Sequence, residues 1–521
     1  MIPTSASAPA EPMTQARGWS SLLFPLAIAL CVGLDYFDNS AFSFFIKEIA
    51  GGVGAPPDEL VWSSSAYAVA GVLGILHHQW WVERIGHRNY IALNLLLFSV
   101  GAVACAFCEN SVELAFARAL QGLAMGPMLG ACRILLQLSF PPARRGSAVK
   151  IFLILILLCS ALGPMLGGTL VALFGWRAVF ICTLPMALII ALLVMRVVPV
   201  SGQVLPEERE TSALWPWFAA ALALGGLQIV VQQVRFAPFS ESPGMEALAL
   251  VGLLVLLGVI WHQWRNPNPL LRLHTLKEAS FRSGLVLYAA YYFITNALAY
   301  LISQLLQTGL GYPVENAGQL VGATSLCSVA GALLYFRYAG KVRQKKWIFV
   351  PGFLLSAFVC VWLAKMPPNV STNWLLTPLV LRGLLLMFIA LPVANVAFQP
   401  FSLDLYPHGY RIKNIVKQIA YSLATATVIV LQQHRLEFHE SVLSQNLSMS
   451  NPVFRRALET LSQHFEQAGL GLSAAHDVAL EQIHSTMITQ ANFLSYMDGF
   501  VLLATLCLVA ALFASLQRQI N

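Results

Sequence analysis

Charge is what this sequence lacks. Of its 521 residues only 11% are Asp, Glu, Lys or Arg, while 57% are hydrophobic. Soluble domains carry about 25% charged residues, so most of this surface is not built to face water. Mean hydropathy is +0.69, and a bilayer, crossed by a helix of about 20 apolar residues, is the natural solvent. The sequence also lacks metal-ligand spacing, a nucleophile elbow and a phosphate-binding loop, which argues against an enzyme and against a metal or other cofactor. Its formal charge of +7 is spread over short clusters between apolar runs, which excludes a nucleic-acid partner as the main one. Nearly all nine cysteines fall inside apolar runs. Cys105 and Cys108 have redox spacing without a second pair, so they read as small buried hydrophobes. His77 and His78 are adjacent, point to different helix faces and make poor joint metal ligands.

What is present is a long series of apolar runs. They predict fourteen spans, at 19–46, 61–82, 90–108, 113–136, 147–173, 177–197, 212–235, 245–264, 282–308, 316–338, 347–365, 374–404, 411–434 and 495–516. The basic clusters Arg144-Arg145, Lys341 to Lys346 and Arg411 to Lys413 all fall on one side if both termini are cytoplasmic. The polar start, Met1 to Gly18, has no signal-peptide design and reads as a cytoplasmic tail. A multi-pass membrane location follows, and an inner (cytoplasmic) membrane is the expectation. Residues 265–281 form a polar cytoplasmic link. Residues 435–494 form a long outer segment in which Val453, Leu458, Leu461 and Phe465 recur at near-helical spacing. That spacing predicts an amphipathic helix against the membrane or a partner, or an ordered cap on the protein itself. A Gly-basic loop occurs at Gly86-His87-Arg88 and again at Gly340-Lys341-Val342-Arg343. The echo fits two six-helix halves separated by two extra helices.

Charge inside the bilayer is expensive, about 2.5–3.5 kcal/mol on insertion scales, so intramembrane ions normally face a cavity or a partner. Asp35 and Asp38 in the first span, Arg118 in the fourth and Arg382 in the twelfth qualify. Asp35 and Asp38, three apart, share a helix face. Two such carboxyls do not both ionise easily, which suits loading and unloading a proton; pairing with Arg118 is the structural alternative. Gly163-Pro164-Met165-Leu166-Gly167-Gly168 in the fifth span offers a bent, smooth helix face.

In order along nearly the whole chain, these features resemble the major facilitator superfamily, specifically its fourteen-span drug:proton antiporter branch, the EmrB/QacA group. Leu34-Asp35 is similar to the first-span acidic motif. Trp62 and Tyr67 match a W-x4-Y pattern. Glu83-Arg84-Ile85-Gly86-His87-Arg88 is similar to the loop motif D-R-x-G-R-R. Arg118-Ala119-Leu120-Gln121-Gly122 fits R-x-x-Q-G. Gly163, Pro164, Gly167 and Gly168 fit the antiporter motif G-P-x-x-G-G, followed by Trp176-Arg177, Phe180 and Pro185. Gln228, Asn266-Pro267-Asn268-Pro269, Gln490-Ala491 and Asp498-Gly499-Phe500 also fit, and Asn414 to Gln418 resembles N-x-x-R-Q with Lys417 in place of Arg. The departures are Gln79, Trp81 and Glu83 in the loop motif, Tyr36 to Ser40 after the first acid, and Cys159 where a Gly usually leads the antiporter motif. They make export a firmer expectation than drug export.

The resemblance implies an all-α membrane protein of the major facilitator fold. Its expected parts are a tail (1–18), a six-helix bundle (19–197), two inserted helices with linkers (198–281), a second six-helix bundle (282–516, including 435–494) and a short tail (517–521). It implies proton-coupled antiport of small amphipathic or hydrophobic molecules by alternating access. Asp35, Asp38 and Arg118 are the expected proton-coupling residues, with Asp35 carrying the proton and Arg118 responding to its charge. Glu83, Arg84, Gly86 and Arg88 are expected to form a cytoplasmic latch, with Gln121, Gly122 and the Gly163–Gly168 segment as conformational motifs. Tyr36, Phe37, Tyr291, Tyr292, Phe293 and Asn296 are candidate cavity residues, because aromatics with polar tips suit amphipathic ligands. Members of the branch in double-membraned bacteria work with a periplasmic adaptor and an outer-membrane channel, for which 435–494 is a candidate surface. The alternatives are export of an endogenous metabolite such as a siderophore, proton-coupled import, or a non-transporting receptor or scaffold.

Overall fold

The computed structural model describes residues 20–517, apart from 57–58, 200–214, 234–242, 267–268, 270, 343, 368–369, 399–400 and 402–404. Both expected tails therefore fall outside it, except Gln517, as do Pro267, Asn268, Arg343 and the side chain of Gln228. Among the described residues every apolar run is a helix, and there is no strand. Twelve helical stretches among the described residues are long and apolar enough to cross a bilayer.

Two features raise that number to fourteen. Helix α3 (Val61–Phe107) would be about 70 Å long if straight, more than twice the hydrocarbon thickness. It breaks at Gly86, whose φ of 77° and ψ of 159° place it in the left-handed half of backbone space. Glycine reaches that region without steric cost, so the chain turns there, and the two arms are the second and third spans. Helix α9 (Trp215–Gln233) supplies the other. Its Trp217 indole donates to the Leu73 carbonyl at 3.0 Å and packs with Leu76 and Ala220, fixing α9 on the outer flank of α3. The adjacent α10 (Pro243–Arg265) exposes Leu250, Val251, Leu253, Leu254 and Leu257, as a lipid-facing helix does. The two inserted helices are central in sequence and peripheral in space.

The other spans are α1 (Ser20–Phe44), α4 with α5 (Ser111–Met125, Met128–Ser139), α6 (Pro142–Phe174), α7 with α8 (Ala178–Ile181, Thr183–Val197), α11 (Ala279–Gln304), α12 (Val314–Tyr338), α13 (Lys346–Ala364), α14 (Thr372–Phe398), α15 (Tyr406–Ser444) and α17 (Leu472–Leu516). Two short helices lie outside them, α2 (Ile46–Gly52) and α16 (Pro452–Gln467). Asn110 caps α4 by accepting from the Glu113 amide at 2.9 Å while its own amide reaches the Glu113 carboxylate at 2.8 Å. Gly126-Pro127 then interrupts the span, because Pro127 has no N–H for the helix ladder. The first half, from α1 to α8, and the second, from α11 to α17, meet along two seams. Helix α6 packs on α12 and the first arm of α3 packs on α15.

Residues 435–494 contain the amphipathic helix expected there, and almost all the rest of the segment is helical too. Helices α15 and α17 run on past the membrane-length segment, and α16 lies against α17. Phe454 and Leu458 are buried against Ala479, with Leu461, Phe465 and Ile483 around them. The amphipathic face of α16 is thus spent on the protein's own helix. Val453 does not belong to that face; Phe454 takes the buried position and Val453 is 72% exposed. Leu458→Ala is expected to cost the cap about 2–4 kcal/mol. Limited proteolysis should then cut within 445–471 at protease levels that leave the wild type intact.

Candidate functional site

Between the halves lies a cavity of about 230 Å³, lined by α1, α3, α6, α11, α12, α14 and α15. Asp35, Asn39 and Tyr67 enter it from the first half, and Lys417, Gln418, Tyr421 and Arg382 from the second.

The two acids of α1 have different partners. Asp38 is fully buried and sits 2.5 Å from the equally buried Arg118. The same guanidinium donates to Gln121 Oε1 at 2.8 Å and to Asn39 Oδ1 at 3.0 Å, and it lies over the rings of Phe42 and Tyr67. Asp35 lines the cavity. It accepts from the Tyr67 hydroxyl and, at 2.8 Å, from Asn39 Nδ2, and Lys417 Nζ stands 3.8 Å from its other oxygen. Asn39 therefore joins both acids: its oxygen accepts from Arg118 and its nitrogen donates to Asp35 and, at 2.9 Å, to Tyr67. Arg118 pairs directly with Asp38 and reaches Asp35 through Asn39 and through Tyr67, whose ring it overlies and whose hydroxyl donates to Asp35.

The Asp35–Lys417 pair crosses from one half to the other. A proton on Asp35 would remove its charge and with it this tie. The Asp38–Arg118 pair stays within the first half and joins α1 to α4. Gly122, next to this pair, faces the Tyr67 backbone so closely that a Cβ has no room. Gln121 and Gly122 thus lie against α3, and Gln121 accepts from Arg118, which itself reaches α1 through Asp38.

The α6 motif lies at a double contact. A Cβ on Gly163 would stand 2.7 Å from the Phe37 carbonyl of α1 and press on the Ser40 hydroxyl, and Gly167 faces the Phe45 ring. Gly168 faces Val314 and Glu315 of α12, and Gly318 of α12 faces the Pro164 carbonyl. Small residues thus let α6 approach a helix of each half. Gly163→Ala is expected to cost about 1–3 kcal/mol by overpacking, read as a lowered unfolding midpoint of the purified protein.

Above and below the cavity the halves touch. At the Phe44 end, Ser303 Oγ and Gln307 Nε2 both donate to the Phe44 carbonyl, at 2.6 and 3.0 Å. Helix α11 passes into a π-helical turn at Leu305–Gly309 there. At the Gly86 end, Tyr410, Phe398 and Tyr406 pack into the apolar cluster of the first half, and Leu153 and Leu157 of α6 pack against Tyr335 of α12. Lys413 lies over the rings of Tyr288 and Tyr410, 4.7 Å from each, between the cavity and this closure.

Of the six expected cavity residues, Tyr36, Tyr291 and Asn296 line it. Asn296 donates to the Tyr421 carbonyl and the Thr425 hydroxyl, both at 2.9 Å, so it also fixes α11 to α15. Phe37, Tyr292 and Phe293 do not line it. Phe37 is buried and its carbonyl faces Gly163 of α6, Tyr292 is buried between Tyr288 and Tyr421, and Phe293 packs in the helix core. In the loop motif, Gly86 makes the turn, Glu83 accepts from Gln79 at 2.8 Å, and Arg84 stacks over Trp80 while donating to its carbonyl at 2.9 Å. The Arg88 Nε is buried without a hydrogen-bond partner among the described residues.

Lys417, Gln418 and Tyr421 were not expected in the site. The signal for Lys417 was present, since it stands within the predicted span 411–434 and matches the Arg of N-x-x-R-Q.

The sequence model of the Major Facilitator Superfamily matches residues 28–425. The chain is 25% identical over 460 residues to a probable multidrug resistance protein, EmrY, of Escherichia coli strain K12, covering 87% of this chain and 88% of that one. It is 21% identical over 497 residues to the multidrug export protein EmrB of the same strain, covering 95% of each. A crystal structure of a bacterial homolog of the human lysosomal transporter Spinster, inward-facing and occupied, superposes with a TM-score of 0.63 at 13% identity, covering 97% of this chain and 98% of that one; the likeness is one of fold.

Proposed function

The chain belongs to the Major Facilitator Superfamily, and from that premise we propose that it is a proton-driven exporter of small amphipathic molecules, of the multidrug type that the names of its relatives describe. The observation that carries this reading is the Asp35–Lys417 pair across the central cavity. A titratable carboxylate there ties the halves together when ionised and releases them when protonated. Changing the contacts above and below the cavity in turn gives alternating access. Asp35 is the proton carrier. Arg118 and Asp38 hold α1 and α4 as one body and sense Asp35 through Asn39. The Gly163–Gly168 face is the surface on which the halves rock, and the Glu83–Arg88 loop latches the Gly86 side.

In this proposal the halves are 19–197 and 282–516, with 198–281 as the insert. Both termini and the Gly86 end lie in the cytoplasm, and the Phe44 end faces outward. The helical 435–494 cap then stands outside the inner membrane, where a periplasmic adaptor leading to an outer-membrane channel would meet it. The cargo sits among Tyr36, Tyr291, Asn296 and Tyr421.

Purified protein in sealed vesicles tests the direction of coupling. An antiporter accumulates an amphipathic dye when the lumen is acidic, because protons leaving drive dye inward. Accumulation only when the exterior is acidic would mean symport and would sink the export reading.

A further inference from the structure

We infer that the cargo carries a carboxylate, and that Arg382 is the residue that binds it. The inference rests on the exporter reading and names its substrate class. Among the described lining residues the only carboxylate is Asp35, whereas Lys417 and Arg382 are both cations. Asp35 stands 3.8 Å from Lys417. Asp38 adds no charge to the balance, because Arg118 neutralises it outside the cavity wall. Arg382 is left over. No carboxylate lies within ion-pair distance of it among the described residues, and its buried Nε–H finds no acceptor. A guanidinium kept inside the bilayer without an acceptor marks a place where an acceptor arrives.

The geometry around Arg382 suits a planar anion with an apolar body. It follows Leu381 on α14 and precedes Gly383, whose lack of a side chain lets α14 close on the Thr324 carbonyl of α12 and brings Arg382 to the cavity wall. A guanidinium presents a fork of N–H donors that matches the two oxygens of a carboxylate. The rings of Tyr36, Tyr291 and Tyr421 line the same space and offer apolar faces to the rest of the molecule.

Charge balance across the transport cycle agrees. With Asp35 ionised the lining carries one net positive charge; an anionic cargo brings it to zero, so the loaded site crosses outward without working against an inside-negative potential. A cationic cargo would bring it to two, and the same potential would oppose its export. With Asp35 protonated and the site empty, the lining is doubly positive and the potential favours its return inward.

The test uses the full chain and three probes that share a naphthyl body: naphthoate, its neutral carboxamide and the naphthyl trimethylammonium cation. Titration calorimetry on the detergent-solubilised wild type should give naphthoate at least about tenfold tighter binding than the carboxamide, with the cation weakest. Arg382→Gln should bring the naphthoate-to-carboxamide ratio below about twofold, and Arg382→Lys, which keeps charge but loses the fork, should fall between. Tightest binding by the cation overturns the inference. So does no naphthoate binding by monodisperse wild type, or a carboxylate preference undiminished in Arg382→Gln. Because the wild-type ranking is itself decisive, poor folding of the variants leaves the inference open to refutation. Vesicle flux of the same probes separates the two readings. The expected ranking without proton-driven flux would overturn export and leave the anion site standing. Proton-driven export of the cation over naphthoate would do the reverse.

Discussion

Replacing Arg118 with Met is expected to leave little folded protein. The change strands Asp38 in a fully buried position, where it has lost its only ion-pair partner among the described residues. Breaking a buried pair from one side costs about 3–5 kcal/mol, most of it the penalty for the uncompensated charge. Asn39 and Gln121 also lose the donor that holds their oxygens. The control is the double variant Arg118→Met with Asp38→Asn. It removes the stranded charge and should recover much of the yield and the unfolding midpoint, because a buried pair exchanged for neutral groups is often nearly neutral. Equal midpoints for Arg118→Met and the wild type would show that the pair does not hold α1 to α4.

Asp35→Asn should behave in the opposite way. Asn keeps the shape and retains an oxygen to accept from Tyr67 and Asn39, so the fold should survive. It cannot take up a proton. One proton falling through 100 mV and one pH unit releases about 2.3 plus 1.4 kcal/mol, enough for an equilibrium cargo ratio of several hundredfold. The variant should lose what proton entry adds to that ratio and leave the cargo at its own electrochemical equilibrium, which is equal concentrations for a neutral probe. Loss of binding as well would place Asp35 among the cargo contacts instead.

The expense of charge in the bilayer pointed to Asp35, Asp38, Arg118 and Arg382 from sequence alone, and all four lie in or beside the cavity. Their pairing was not legible. Residues three apart share a helix face, so periodicity could not say which acid meets Arg118; a rotation of a few tens of degrees about α1 decides it. Lys417 was legible as a motif position and hidden as a site residue. The basic residues Arg411 and Lys413 just before it read as a topology signal at a span end. Helix α15 instead begins at Tyr406, which draws all three inward, and Arg411, Lys413 and Lys417 are buried. The aromatic candidates divided for a similar reason. Tyr291, Tyr292 and Phe293 are consecutive and point in three directions, and only packing selects the one that reaches the cavity. The count of fourteen spans was legible because the breaks between apolar runs are visible in the sequence, including the one at Gly86 that divides α3 and the one before the apolar run of α9. The 435–494 segment was legible as amphipathic, but its partner, the extension of α17, is polar enough in sequence to pass for loop.

The most direct test of proton-coupled export through Asp35 compares two fluxes in the same vesicles. One is accumulation of an amphipathic probe driven by an acidic lumen; the other is exchange of labelled for unlabelled probe with no gradient. Wild type should show both. Asp35→Asn should keep exchange, which needs only alternating access, and lose accumulation. Undiminished accumulation in Asp35→Asn would remove Asp35 as the proton carrier and contradict the coupling derived from its tie to Lys417.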